Sequence, residues 1–171
     1  MKKLLLSLVL MTFVGVLSFG QSREERKKIK EEEAEAYYQE AKQLLGSGNY
    51  SFRAEWMYPL GQIRANVLSR PAFLRVSDDY AEAFFPYRGI VRGAGSAHGG
   101  GGIEFNDSVR DYEASFDDEN REIYISFKIS GKEDHYQVDI NLFRKTYVKV
   151  TISSDKRDSI FYEGQLFEFE R

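Results

Sequence analysis

The chain has no cysteine, so it can form neither a disulfide nor a thiolate site, and no N-terminal cysteine is present to carry a lipid anchor. Its only histidines are His98 and His135, far apart in sequence. A zinc site takes about four ligands from His, Cys or carboxylate, so no metal centre is expected on these two. No recognisable Ser or Cys nucleophile motif stands near either histidine. Basic residues are not in excess: 24 Lys and Arg face 27 Asp and Glu, for a formal net charge of −3. An acidic balance of this kind makes a poor nucleic-acid binder. Catalytic residues, metal and cofactors are therefore all expected to be absent.

What is present begins at the N-terminus. Met1-Lys2-Lys3 precedes an apolar run from Leu4 to Phe19, and Ser18 and Gly20 are small residues at the spacing a signal peptidase requires. The predicted cut is Gly20/Gln21. A spanning helix needs about 20 apolar residues, and this run is shorter and contains Ser7 and Gly15. The mature chain is expected to be exported, periplasmic or secreted, with no transmembrane segment. Loss of Lys2 and Lys3 moves the net charge from −3 to −5. Three parts are predicted: a signal peptide over 1–20, a charged helix over 21–48 and a β-barrel-like domain over 49–171.

Gln21–Leu45 reads as the one convincing helix. Arg23–Glu35 is almost wholly Arg, Lys and Glu, and pairs such as Glu24 with Lys28 and Lys28 with Glu32 support it weakly. Ala34, Tyr37, Ala41, Leu44 and Leu45 form the stripe predicted to dock on the domain. Gly46 and Gly48 end the helix. The charged half is a solvated leader, with a partner-binding stalk as the alternative.

From Tyr50 the apolar period becomes two. Ile123, Ile125, Phe127 and Ile129 alternate with polar residues, as do Val138, Ile140 and Leu142, and then Val148, Val150 and Ile152. Turn chemistry bounds them at Asp117–Asn120, Ser130–Asp134, Arg144–Lys145 and Ser154–Asp158. A phase change from Ile160 and Tyr162 into Phe167 and Phe169 predicts a bulge at Gly164. Earlier strands are read at Tyr50–Tyr58, Phe73–Val76, Tyr80–Phe85, Gly101–Phe105 and Asp111–Phe116, with a helical turn at Arg64–Leu68. Eight or nine strands tend to curl or close. The fold class is mainly β: an antiparallel meander closing into a small barrel or half-barrel behind one charged helix.

The segment Gly89–Gly102 holds seven of the 14 glycines. It lacks both the spacing of a dinucleotide fingerprint and the Lys-Ser/Thr of a phosphate loop, so it reads as a flexible loop that could cover a cavity. Asp117-Asp118-Glu119-Asn120 lacks the glycine and distant Glu of a calcium loop and reads as a hairpin turn. Asp107-Ser108-Val109 and Asp158-Ser159-Ile160 share an Asp-Ser-aliphatic pattern. It resembles the acceptor motif of a general O-glycosylation system for exported proteins, which makes Ser108 and Ser159 candidate modification sites. Tyr124 and Tyr136 are read as outward-facing.

Three segments carry a family resemblance: Phe85-Pro86-Tyr87-Arg88-Gly89, Gly102-Ile103-Glu104-Phe105 and Asp158-Ser159-Ile160-Phe161-Tyr162-Glu163-Gly164. With the export signal and charged leader, the chain resembles the bacterial domain-of-unknown-function family 4251 over about Tyr50–Phe169. Phe84-Phe85 stands where Leu is expected before the Pro-Tyr pair. The resemblance implies a lipocalin-like barrel in an exported protein, and neither an activity nor site residues. Tyr87 and Tyr162 are expected to pack near one another with their hydroxyls satisfied.

The functional expectation is a non-catalytic binding or envelope-accessory domain. A small apolar or amphipathic molecule would enter a barrel mouth edged by Gly93–Gly102, with His98, Phe105 and Tyr87 as ligand contacts. A structural or protein-interaction domain using the N-terminal helix is the alternative, with an envelope protein as partner, and a hydrolase the most distant reading.

Overall fold

The structure is a computed structural model and describes residues 23–92, 102–132, 134–143 and 147–169. The predicted Gly20/Gln21 cut lies outside these residues. The chain divides into two units, Met1–Glu33 and Ala34–Arg171. Helix α1 is Arg23–Gly46. In the first unit its described residues are exposed, with Lys27 near Glu31 at 4.0 Å and Lys28 near Glu32 at 3.8 Å. Such exposed pairs contribute about 0.3–0.5 kcal/mol each.

In the second unit α1 buries Tyr38, Ala41 and Leu45. Tyr38 takes the place predicted for Tyr37, which is half-buried with Leu44. The acidic turn explains the rotation. Tyr38 Oη donates to Asp118 Oδ1 at 2.6 Å, and Lys42 Nζ donates to both Asp118 oxygens at 2.6 and 2.8 Å. Asp117 meanwhile accepts from the Asn120 backbone N–H at 3.0 Å and its side-chain amide at 2.9 Å. The acidic cluster thus folds its own hairpin turn and seats the helix. Helix C-terminal carbonyls are met by Ser47, and Gly48 turns the chain at φ 71°.

Among the described residues ten strands follow: β1 Asn49–Pro59, β2 Ala65–Asn66, β3 Phe73–Ser77, β4 Tyr80–Phe85, β5 Ile103–Ser108, β6 Arg110–Asp117, β7 Glu122–Ser130, β8 His135–Phe143, β9 Val148–Ser153 and β10 Ile160–Glu168. All pairings are antiparallel, in the order β5-β4-β3-β1-β10-β9-β8-β7-β6. The sheet nearly closes into a barrel because β5 and β6 are almost continuous. The first pairs with β4, the second with β7, and Phe105 bridges Gly131. The change of neighbour falls between Ser108, opposite Tyr80, and Arg110, opposite Lys128, and is followed by a register shift between Arg110 and Glu113 at Asp111, whose φ is 52°.

Two local expectations are corrected. The helical turn expected at Arg64–Leu68 is a short strand. β3 covers only Asn49–Arg53 of the longer β1, so the next backbone groups of β1 need other partners. β2 pairs with Trp56 and Met57, Val67 N–H donates to the Glu55 carbonyl at 2.9 Å, and Ala54 N–H donates to that of Ala72 at 2.8 Å. The bulge expected on β10 lies opposite, on β1 between Ala54 and Trp56. β10 keeps its phase: Ile160, Tyr162 and Gly164 are buried, and Phe167 is exposed on the outer face.

The inward faces of the strands form one core. Phe85 stacks on Tyr162 with ring centres 4.4 Å apart and lies 6.3 Å from Phe52. Tyr162 Oη donates to the Pro86 carbonyl at 2.7 Å, and Tyr87 Oη donates to that of Ile90 at 2.9 Å, so both tyrosine hydroxyls are satisfied as expected. Tyr136 is buried, contrary to the outward reading, because it shares the parity of Val138.

Burial holds the phenols of Tyr50 and Tyr162 well above the ordinary value, with Tyr112 and Tyr87 respectively adding to it. A phenol whose folded pKa is raised keeps its proton more tightly in the native state. Its stabilising effect is complete below about pH 10, the unfolded value, and is lost as pH rises beyond it. We expect alkaline unfolding to begin above about pH 10. Phenolate absorbance of the two rings should appear in the same transition as loss of the β circular-dichroism signal. Their ionisation in a still-folded chain would show that water reaches them.

Candidate functional site

Of the predicted ligand contacts, Phe105 and Tyr87 are among the described residues, while the mouth expected at Gly93–Gly102 lies outside them except for Gly102. Phe105 is buried against Tyr136, ring centres 5.8 Å apart, and Tyr87 is tied to the segments around Ile90 and Asp158. His98 lies outside the described residues. Ser108 and Ser159 are both exposed. Ser108 ends β5 with its N–H on Asp107 Oδ1 at 2.7 Å, and the Asp158 carboxylate beside Ser159 is engaged by Arg92. Among the described residues, large rings pack together in the interior around Phe52, Phe85 and Tyr162, and two clefts lie on the outer surface.

One outer cleft, of about 790 Å3, lies where β6, β7, β8 and β9 approach the closure, and includes Arg110, Asp111, Lys128, His135 and Tyr136. Its polar groups answer one another. Lys128 Nζ donates to Asp111 at 2.8 Å and holds that carboxyl below its usual range. Arg110 donates to Ser130 Oγ at 2.6 Å, which lies 3.2 Å from His135 Nδ1. Ser130 and His135 face each other as a cross-strand pair, so register alone brings them together. Asp134, the acid beside them in sequence, accepts from Ser154 and the His135 N–H and neighbours Arg157. It is therefore committed elsewhere. No group of three or more metal-ligating side chains occurs among the described residues.

A second groove, of about 870 Å3, has the opposite character. Strand alternation builds its floor. Ser51 and Arg53 point outward between buried Tyr50, Phe52 and Ala54, and Phe73 and Arg75 do so between buried Ala72, Leu74 and Val76. Register sets Arg53 opposite Phe73, and Ser51 between Arg75 and Phe167. Two guanidiniums then lie over rings: Arg53 over Phe167 at 5.5 Å and Arg75 over Phe73 at 4.5 Å. The segment Leu68–Ala72, pinned to β1 through Ala72, supplies a wall with Leu68, Arg70 and Pro71.

The charges of this groove are only partly compensated. Arg75 reaches Glu82 at 3.4 Å, but Arg53 and Arg70 have no carboxylate partner among the described residues, although Glu168 lies at one end of the groove. Stacking on an aromatic face restrains a guanidinium and leaves its in-plane N–H groups free. The site thus offers planar donors on an apolar floor, the chemistry that recognises a carboxylate, phosphate or sulfate attached to an apolar body.

No candidate residue of the sequence reading falls in this groove. Its arginines are ordinary outward residues of two strands, and Phe167 faces outward where the expected bulge would turn it in. The one sequence signal is the pair of arginines on outward parity, Arg53 and Arg75. Nothing in the sequence states that the two strands are neighbours.

The model of the family described as a domain of unknown function, DUF4251, matches residues 32–166, so the match takes in the docked part of α1 as well as the strands. Among solved structures, the chain is similar to a DUF4251 family protein from Bacteroides eggerthii DSM 20697. The identity is 21% and the TM-score 0.63, over 78% of this chain and 88% of that one. No curated protein matches.

Proposed function

The chain belongs to the DUF4251 family, and from that premise we propose that it is an exported, non-catalytic binding domain for a small amphipathic ligand with an anionic head. The observation that carries the reading is the pair Arg53 and Arg70, free of carboxylate partners among the described residues, in an open groove floored by Phe73 and Phe167. Unpaired guanidiniums on a surface stay hydrated at little cost. They gain charge-assisted, bidentate hydrogen bonds when an anion arrives. The mutually satisfied polar groups of the Ser130–His135 cleft support a binding role over a hydrolytic one. Export rests on the pattern of Met1–Gly20.

The probe pair is octyl phosphate and octyltrimethylammonium, which share a tail and differ in head charge. Amide NMR shifts are expected at Ser51, Arg53, Phe73, Arg75 and Phe167 with octyl phosphate and not with the cation. Arg53→Glu with Arg70→Glu is expected to weaken binding at least about tenfold, worth about 1.4 kcal/mol. Equal response to both probes, or shifts confined to other faces, would sink the proposal. For export, the intact mass of protein from its own host should begin at Gln21, and any covalent increment reports on Ser108 and Ser159.

A second reading gives the charged half of α1 to a partner protein, since every described residue from Arg23 to Glu33 is exposed, Ile29 included. Deleting residues 21–33 would then abolish capture of that partner and leave octyl phosphate binding intact.

A further inference from the structure

Three of the most exposed large aliphatic side chains lie on loops at one end of the barrel. Leu60 and Ile63 are 70% and 87% exposed on the loop between β1 and β2, and Ile90 is 63% exposed on the segment after β4. Sheet register places them together. Pro59, at the end of β1, pairs with Ile160, at the start of β10. Two residues before Ile160, Asp158 N–H donates to the Ile90 carbonyl at 3.3 Å. Ile90 N–H in turn donates to Asp158 Oδ2 at 3.3 Å, and Val91 bridges Arg157. The two loops therefore emerge beside the same strand end, well constrained by backbone bonds, with their aliphatic tips in water.

The charge around these tips is positive, although the whole chain is acidic. Arg64, Arg88, Arg92, Lys156 and Arg157 stand on these segments. The acids on these segments are Asp155 and Asp158, the second engaged by Arg92, while Arg157 is largely buried beside Asp134, which leaves Arg64, Arg88 and Lys156 as the bases nearest the tips. Arg64 is held over the Trp56 ring at 4.3 Å and donates to Tyr58 Oη at 3.3 Å. Single exposed aliphatics are ordinary on protein surfaces. Three on adjoining loop tips, ringed by guanidiniums and an ammonium, match the two layers of a lipid interface: acyl chains below, anionic phosphates at the level of the bases.

We infer that this end of the barrel docks peripherally on a bilayer containing anionic phospholipid, with Leu60, Ile63 and Ile90 entering the interface. No helix among the described residues is long and apolar enough to cross a membrane, so the contact made here is one of loops with a surface. It is separate from the arginine groove and does not depend on it.

The test is co-sedimentation with vesicles of phosphatidylcholine alone and with about one third phosphatidylglycerol. Wild-type protein is expected to partition onto the anionic vesicles and only weakly onto the neutral ones. Leu60→Asp with Ile63→Asp should lower that partition at least about tenfold with an unchanged thermal melt, because both side chains contact mainly water. Arg53→Glu with Arg70→Glu should leave it intact, which separates failure of this proposal from failure of the groove. Absence of binding, equal binding to neutral vesicles, or indifference to the paired aspartates would overturn it. A concentration-dependent dimer in sedimentation velocity that the aspartates abolish would also overturn it, and would assign the tips to a second copy of the chain.

Discussion

Replacing Gly164 by alanine is expected to destabilise the protein by about 3 kcal/mol and to lower its thermal midpoint by about 10 °C. Gly164 lies where β10 passes the bulge of β1. A Cβ there would stand 2.0 Å from the Arg53 carbonyl oxygen and 2.8 Å from Ala54 Cα. Both obstacles are backbone, so the clash is relieved only by separating β1 from β10. That pair joins the meander β6–β10 to the strands β1 and β3–β5, and opening it splits the core. Gly46→Ala is the control. The nearest atom to its added Cβ is 3.9 Å away and its backbone is unstrained, so that variant should stay within about 1 kcal/mol of wild type. Equal melting temperatures for the two variants would show that the bulge absorbs a methyl group without strain.

Phe85→Ala is expected to cost about 3–5 kcal/mol. Its ring is fully buried between Phe52 and Tyr162, and its removal strips Tyr162 of a stacked neighbour next to the Tyr162–Pro86 hydrogen bond. Urea unfolding measures the effect: the midpoint should fall while the slope, set by the surface exposed on unfolding, stays the same. The result also bears on function. A loss under about 1 kcal/mol would mean that the ring fills no tightly packed space. The interior would then regain its claim as the ligand site, at the expense of the arginine groove.

Much of the architecture is legible before any coordinates. The meander reads directly because one of its faces is wet. Ile123, Ile125, Phe127 and Ile129, then Val138, Ile140 and Leu142, are all buried as their alternation requires. Local chemistry also suffices for α1 and its glycine end, and for the turn at Asp117–Asn120. Reading fails where a position is governed by a partner distant in sequence. Arg64–Leu68 carries no strong local signal and becomes extended because β1 outruns β3. Tyr38 displaces Tyr37 because Asp118, 80 residues away, accepts its hydroxyl. The bulge sits on β1 because Gly164 has no side chain to keep the facing carbonyl away.

The candidate site was the least legible part for the same reason. Arg53, Arg70, Arg75, Phe73 and Phe167 come from three separate stretches of chain. Each looks like an ordinary outward residue in its own strand or loop. The sequence by itself determined the fold class, the charged helix and the parity of most strands. These follow from side-chain type and from a period that every strand carries within itself. Only the tertiary structure decided which strands are neighbours, where the barrel closes, which tyrosine the helix buries and which arginines face no acid. Those follow from register, and register is a property of two strands at once.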